Sequence, residues 1–234
     1  MNVAEREGFE PPEPCGSTDF ESAAIDHSAT SPVMVEGKNY NFFVTLSATL
    51  SRGFPVRIPY WTPEAAPRDA ALLEAILKRR GGKYINLDLA LLWSEPLARG
   101  WNAHLGAVRR EFGVSPRLKE LAICTVARIT GAEYEFTHHW PEYVKGGGRD
   151  ELRPRLDDPD RAAKDRDFSD DERLAIRYAI AMTRTVTVPD ELFAELRRRF
   201  DTTELVELTA AIATYNMVAR FLVALQVEDE RARK

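Results

Sequence analysis

Residues 115–148 read SPRLKELAICTVARITGAEYEFTHHWPEYVKGGG, and this stretch decides the fold. It reads as two helices separated at Gly131. Ser115 is placed as the N-cap and Pro116 as the first helical residue, where its missing N–H costs nothing. Residues 121–127 carry no charge, so the first helix is expected to be buried on most sides. Three ionisable residues border that apolar run: Glu120, Glu135 and His139. Glu135 and His139 are four apart and therefore share one face of the second helix. Glu120 lies fifteen residues before Glu135, across the break. Only packing one helix on the other brings it to the same point.

Two carboxylates and an imidazole meeting in a helical pocket can pass protons. Burial raises a carboxyl pKa, and a second carboxylate close by raises one of the two further. One can then keep its proton near neutral pH while the other acts as a base. Glu120 stands early in its helix, where the dipole pulls the other way, so the sequence leaves open which carboxyl holds the proton. His139 would orient a substrate carboxylate or relay the proton. His138, three residues from Glu135, meets the same facing rule and is a secondary candidate, as is Tyr134. A glutamate four residues before a histidine is also common as an exposed helix pair. Glu135-x-x-His138 is half of a di-iron signature, but the chain has no second copy, so no metal ligands are expected.

The spacing Glu120, Glu135, His139 inside an apolar helix–Gly–helix frame resembles the carboxymuconolactone decarboxylase and alkylhydroperoxidase D (AhpD-like) superfamily. The resemblance runs over roughly residues 57–228, through the last helix with Tyr215-Asn216-Met217. It implies an all-α helical bundle that self-associates, with its pocket near a subunit interface. In the hydroperoxide-reducing branch two cysteines carry the redox chemistry. The matching positions here are Ala132 and Glu135, so that thiol mechanism is unavailable. Cys124 is expected to be a small apolar core residue. A glutamate at the second position resembles the decarboxylase branch instead. That branch implies decarboxylation of a small unsaturated lactone or carboxylic acid, with no cofactor. The substrate's own unsaturation would hold the developing charge. The resemblance makes Glu120 and Glu135 the proton-handling pair and His139 the orienting or relaying group. Alternatives are an antioxidant protein of the peroxiredoxin or alkylhydroperoxidase type lacking the thiols, a metal-binding protein, and a non-catalytic helical scaffold.

The whole chain fits this frame. Its 234 residues suffice for one domain with an extension and a real core. A formal charge of −5 argues against a nucleic-acid surface. No apolar run is expected to reach the length of a membrane span. Cys15 and Cys124 form no CxxC and lie far apart, which points away from a disulfide framework and toward the cytoplasm.

Residues 1–33 are read as a disordered extension rich in Pro, Glu and Ser, so His27 and Cys15 are discounted. Residues 34–56 are left unassigned, although 40–50 is apolar enough for a short helix or strand. Residues 57–67, with three prolines, read as an extended arm in which Tyr60 and Trp61 are packing anchors. Residues 65–80 read as a helix ended by Gly81-Gly82. Residues 87–112 read as a helical region interrupted at Pro96, with Leu97, Trp101, His104, Leu105 and Val108 as one stripe. His104 is expected to be a hydrogen-bonded core or interface residue. Residues 149–168 read as a charged surface loop. Ser169-Asp170-Asp171-Glu172 and the stretch from Asp201 to Glu204 are capping signatures for two further helices, with a shorter helix after Pro189 between them. Asn216 and Arg220, four apart on the last helix, either line a pocket or pair across the core.

Gly8-Phe9-Glu10-Pro11 has codons that can spell the complement of the conserved arm of a transfer RNA gene, which resembles a misassigned reading-frame start. The natural chain is therefore expected to begin near Met34 or later. An intact mass of the natively expressed protein checks this, and a terminus at Met1 or Asn2 overturns it.

Overall fold

The computed structural model describes residues 56–230. The readings of residues 1–33, of 40–50, and of His27 and Cys15 lie outside the described residues. So does all of the 34–56 segment except its last residue. The described residues form nine α-helices and one 3-10 helix, with no strand. They are α1 (Ala70–Arg80), α2 (Asn86–Leu91), α3 (Glu95–Arg110), α4 (Pro116–Thr130), α5 (Glu133–Lys145), the 3-10 helix (Asp150–Asp157), α6 (Pro159–Ala162), α7 (Asp170–Arg184), α8 (Asp190–Arg199) and α9 (Thr202–Leu225).

α4 is the hub. It packs against α5, α7 and α9, and every residue from Leu118 to Ala127 is buried. Such a helix must be apolar nearly all round, which is what its uncharged run supplies. Ser115 stands at the N-cap as expected, but its side chain makes no capping bond. Pro116 occupies the first turn. α4 ends where Gly131 turns left-handed (φ 68°), and its N–H bonds the Ala127 carbonyl. Only a glycine takes that conformation without strain. The chain reverses there and lays α5 along α4.

The capping signatures hold. In α7 the Ser169 hydroxyl accepts from Glu172 N while the Glu172 carboxylate accepts from Ser169 N. Asp201 and Glu204 make the same reciprocal pair at the start of α9. Leu205, Leu208, Ile212, Tyr215, Ala219 and Leu222 are all buried on one face of α9. α1 starts at Ala70 rather than 65, because Pro67 precedes it and Asp69 caps it through Leu72 N. Pro96 restarts rather than ends its region, sitting in the first turn of α3. The arm wraps its own domain. Arg57 donates from its backbone to Leu225 O and Trp61 from its backbone to Leu89 O, and buried Trp61 is the anchor expected of it.

Three expectations need correction. Residues 149–168 are not a surface loop: they fold into the 3-10 helix and α6, burying Leu152, Leu156 and Phe168. Dense charge hid three apolar anchors. The stripe of α3 is narrower than read. Trp101, Leu105 and Val108 are buried, while Leu97 is 41 % exposed and His104 is exposed. His104 is hydrogen-bonded as expected, to the Thr214 hydroxyl at 2.8 Å, but at the surface. Of the two alternatives for Asn216 and Arg220, pairing holds: they bond each other at 2.8 Å, and Asn216 also donates across to Thr183 of α7 at 3.0 Å. Finally, α9 is by length and composition apolar enough to cross a membrane, although half of its apolar window is buried in this bundle. Core helices pass that test because their lining is as apolar as lipid.

A Cβ at Gly131 would meet open space, so Gly131→Ala tests the backbone conformation alone. It should cost about 1 kcal/mol, lowering the melting temperature by roughly 3 °C. An unchanged melt would mean that the turn does not need its left-handed residue.

Candidate active site

α4 and α5 bring the three singled-out side chains to one point. Glu120 sits in the second turn of α4, and Glu135 and His139 sit on the inner face of α5. All three are buried, at 6 %, 4 % and 2 % exposure. His139 Nδ1 donates to Glu120 Oε2 at 2.5 Å. His139 Nε2 lies 3.1 Å from Glu135 Oε2. That second contact is close enough to attract a proton on Nε2, and Glu135 Oε2 has no directed hydrogen bond among the described residues. Arg109 Nη1 also approaches Nε2, at 3.4 Å. Each state of the ring therefore has a partner. Protonated, Nε2 faces Glu135; deprotonated, it accepts from Arg109.

The charges shift one another. Burial alone would depress the imidazole of His139, but the Glu120 and Glu135 carboxylates raise it above its ordinary value. Burial alone would raise Glu120, yet His139, Arg109 and Lys119 hold its carboxyl below the ordinary glutamate value. Both shifts favour an ion pair of carboxylate and imidazolium. Lys119 is itself buried and donates to Val108 O at 3.0 Å, pinning the end of α3 to α4. That contact helps set Arg109 beside His139.

Glu135, His139 and Arg109 line a cavity with Arg79, Arg80, Trp101, Leu105, Tyr134, His138 and Tyr215. Its solvent space is about 30 Å³, room for one or two waters. The space is small and lined by charged side chains, and a larger substrate must displace its rim. Asp88 holds two of the rim cations, Arg79 at 3.2 Å and Arg80 at 2.9 Å. Arg79 is pushed down to about 10 by burial and by Arg80.

His138 belongs to the cavity rim and not to the triad. Its Nδ1 donates to Tyr134 O at 2.8 Å, and its Nε2 faces Glu230 Oε1 at 3.3 Å. Tyr134 stacks on the His138 ring and donates to Glu230. Glu230 is drawn down to about 2: burial opposes this, and the bond from His138 outweighs it. His138, Asp229 and Glu230 present ligand atoms within 4.8 Å of one another and are the described residues that could hold a metal ion. Cys124 is fully buried, and burial, reinforced by Glu120 and Glu135, pushes its thiol well above the ordinary value. It is a core residue, as expected.

Arg109, Arg79, Arg80 and Tyr215 were not singled out in the sequence. Arg109-Arg110 reads as the ordinary basic last turn of a helix, and Tyr215 reads as core on the buried face of α9. The available signal was the placement of Arg109 four residues after Leu105, on the edge of the buried stripe.

No family model matches the chain. A curated relative, the uncharacterized protein YnjA of Escherichia coli K12, is 48 % identical over 61 residues, which are 26 % of this chain and 34 % of that protein. The match thus spans about a third of the relative's length. Solved structures agree over far more. A peroxidase-related protein of Silicibacter sp. TM1040 superposes with a TM-score of 0.63 at 17 % identity, covering 76 % of this chain and 93 % of the other. The AhpD core of a peroxidase-related protein of Ralstonia eutropha JMP134 gives 0.65 at 16 %, covering 76 % and 95 %. The debrominase Bmp8, as a cysteine-to-alanine variant in complex with 2,3,4-tribromopyrrole, gives 0.55 at 18 %, covering 77 % and 95 %. At these identities the likeness is one of fold.

The pH dependence of stability follows from the two shifts. His139 lies above 6.5 when folded, so its contribution is complete below that pH and is lost as the pH rises through the folded value. Glu120 lies below 4.5, so its contribution is complete above that pH and is lost as the pH falls through the folded value. The stability difference between wild type and Glu120→Gln should therefore peak between pH 4.5 and 6.5, at on the order of 3 kcal/mol. Thermal melts across pH 3–9 check it (a range set by the carboxylate and imidazole pKa values). A difference flat with pH would mean that the pair is not ionic.

Proposed function

The chain has the AhpD-like fold, and on that premise we propose that it is a cofactor-free acid–base enzyme acting on a small unsaturated lactone or carboxylic acid, most concretely a decarboxylase. The observation that carries this reading is the buried Glu120–His139–Glu135 line. Two carboxylates flank one imidazole, and Glu135 Oε2 is left without a directed hydrogen bond beside the cavity.

In the proposed reaction the substrate carboxylate leaves as carbon dioxide. Its bonding electron pair moves into the substrate's conjugated system. Carbon then takes a proton from the Glu135–His139 Nε2 pair, and solvent restores that proton. Glu120 stays ionised and orients the ring through Nδ1, so that Nε2 is the nitrogen that exchanges protons. The small cavity leaves room for little water around a charged carboxylate, which favours its loss as a neutral gas.

A thiol peroxidase reading fares worse. Ala132 and Glu135 stand where the resemblance places the two cysteines, and the buried Cys124 thiol is held in its protonated form. The same proposal places the protein in the cytoplasm as a homo-oligomer. Val206, Met217 and Val223 on the outer face of α9 are exposed apolar residues that support self-association.

Glu135→Gln should lower turnover of an unsaturated lactone acid by at least about a hundredfold. Its melting temperature should hold or rise, because the charge removed has no well-directed partner. Carbon dioxide release, followed alongside a thermal melt, checks both. Full turnover by the variant overturns the reading. Raised stability with no turnover by either protein, across a panel of such acids, supports a non-catalytic scaffold.

A further inference from the structure

Arg109 is a cavity cation with no direct ion pair. Asp88 pairs with both Arg79 and Arg80, whereas Arg109 feels Glu120 and Glu135 only at longer range and makes no ion pair with a described carboxylate. Its guanidinium has five N–H donors, and its one described side-chain bond is the long contact with His139 Nε2. The Tyr215 hydroxyl is in a similar position. Tyr215 lines the same cavity, its hydroxyl makes no hydrogen bond with a described residue, and its ring stands edge-on to His139 at 4.6 Å. A guanidinium and a phenol at one small cavity are two donors with bonding capacity to spare. Together they can hold an acceptor oxygen supplied by a ligand.

The reaction proposed above creates one. When carbon dioxide leaves a lactone acid, negative charge moves through the unsaturation onto the ring carbonyl oxygen, giving an enolate. An arginine bound to the departing carboxylate would stabilise the ground state and slow its loss. The same arginine bound to the enolate oxygen stabilises charge that appears only as the reaction proceeds. We infer that Arg109 and Tyr215 form an oxyanion site that holds the enolate oxygen opposite the proton-handling Glu135 and His139. This rests on the decarboxylase reading, and it narrows the substrate to an acid whose unsaturation is conjugated to a carbonyl. Burial keeps the Tyr215 phenol above its ordinary pKa and so a neutral donor at neutral pH. Burial opposes the charge on Arg109, but the Glu120, Glu135 and Glu142 carboxylates favour it, so it stays charged. No electron donor or metal is needed, because the electron pair comes from the carbon–carboxylate bond and returns as the new C–H bond.

Tetronate, a five-membered lactone that is an enolate at neutral pH, is the probe, with its uncharged O-methyl ether as control. Calorimetric titration of the full-length protein should show tetronate binding at least about tenfold tighter than the ether. Arg109→Gln should abolish that preference, Tyr215→Phe should weaken it several-fold, and Arg109→Lys should retain part of it. Circular dichroism checks folding, and the lysine and phenylalanine variants carry the test if the glutamine variant does not fold. No tetronate binding by the wild type, equal binding of enolate and ether, or an unchanged preference in Arg109→Gln with Tyr215→Phe overturns the oxyanion site. Arg109-dependent tetronate binding without turnover of any unsaturated acid upholds the site and refutes the decarboxylase reading. Turnover that survives Arg109→Gln at full kcat does the reverse.

Discussion

The 2.5 Å contact between His139 Nδ1 and Glu120 is the interaction on which the rest of the interior depends. α4 is buried on all sides by α5, α7 and α9, yet it carries an ionised carboxylate. A charge without a partner there would cost several kcal/mol. An imidazolium reaching across from α5 satisfies it, and that reach fixes how the two helices are rotated against each other. A slip of one residue along α5 would swing His139 about 100° around the helix and leave Glu120 alone. The ion pair therefore acts as a register pin for the α4–α5 hairpin as well as a chemical group.

Around that pair the charges are arranged in layers. Lys119 ties the end of α3 to α4, and Asp88 holds Arg79 and Arg80 together at the rim. His138, Tyr134 and Glu230 close the other side. These contacts join residues far apart in the chain, such as Tyr134 and Glu230. Most of them neutralise a charge that burial has made expensive. Four buried polar atoms lack a hydrogen-bond partner among the described residues: Trp101 Nε1, Arg128 Nε, Glu135 Oε2 and Asp171 Oδ1. Two of those residues, Trp101 and Glu135, line the cavity beside Arg109 and Tyr215, and that concentration marks the candidate site.

The hairpin and the triad were legible in residues 115–148 because they follow from local rules. Gly131 is a left-handed helix stop, the uncharged run of α4 announces burial, and a four-residue spacing puts Glu135 and His139 on one face. The capping boxes at Ser169 and Asp201 were legible for the same reason, since each is a bond between neighbours. Residues 149–168 misled because their charges outnumber Leu152, Leu156 and Phe168, and composition averages over anchors that packing selects one at a time. His104 and Leu97 share a helical period with Trp101 and Leu105, but packing buries only part of that face.

By itself the sequence determined the α4–α5 hairpin, the capped starts of α7 and α9, and that Glu135 and His139 share one helix face. Those are properties of neighbours within about one turn of chain, and backbone geometry alone enforces them. The tertiary structure decided which donor each acceptor meets. It decided that His139 and not His138 joins Glu120, that Asp88 takes two arginines, and that Arg109 and Tyr215 are left facing the cavity. Pairing of buried charges is a competition among all groups within reach in space, and no local pattern in a chain says which of them will be near.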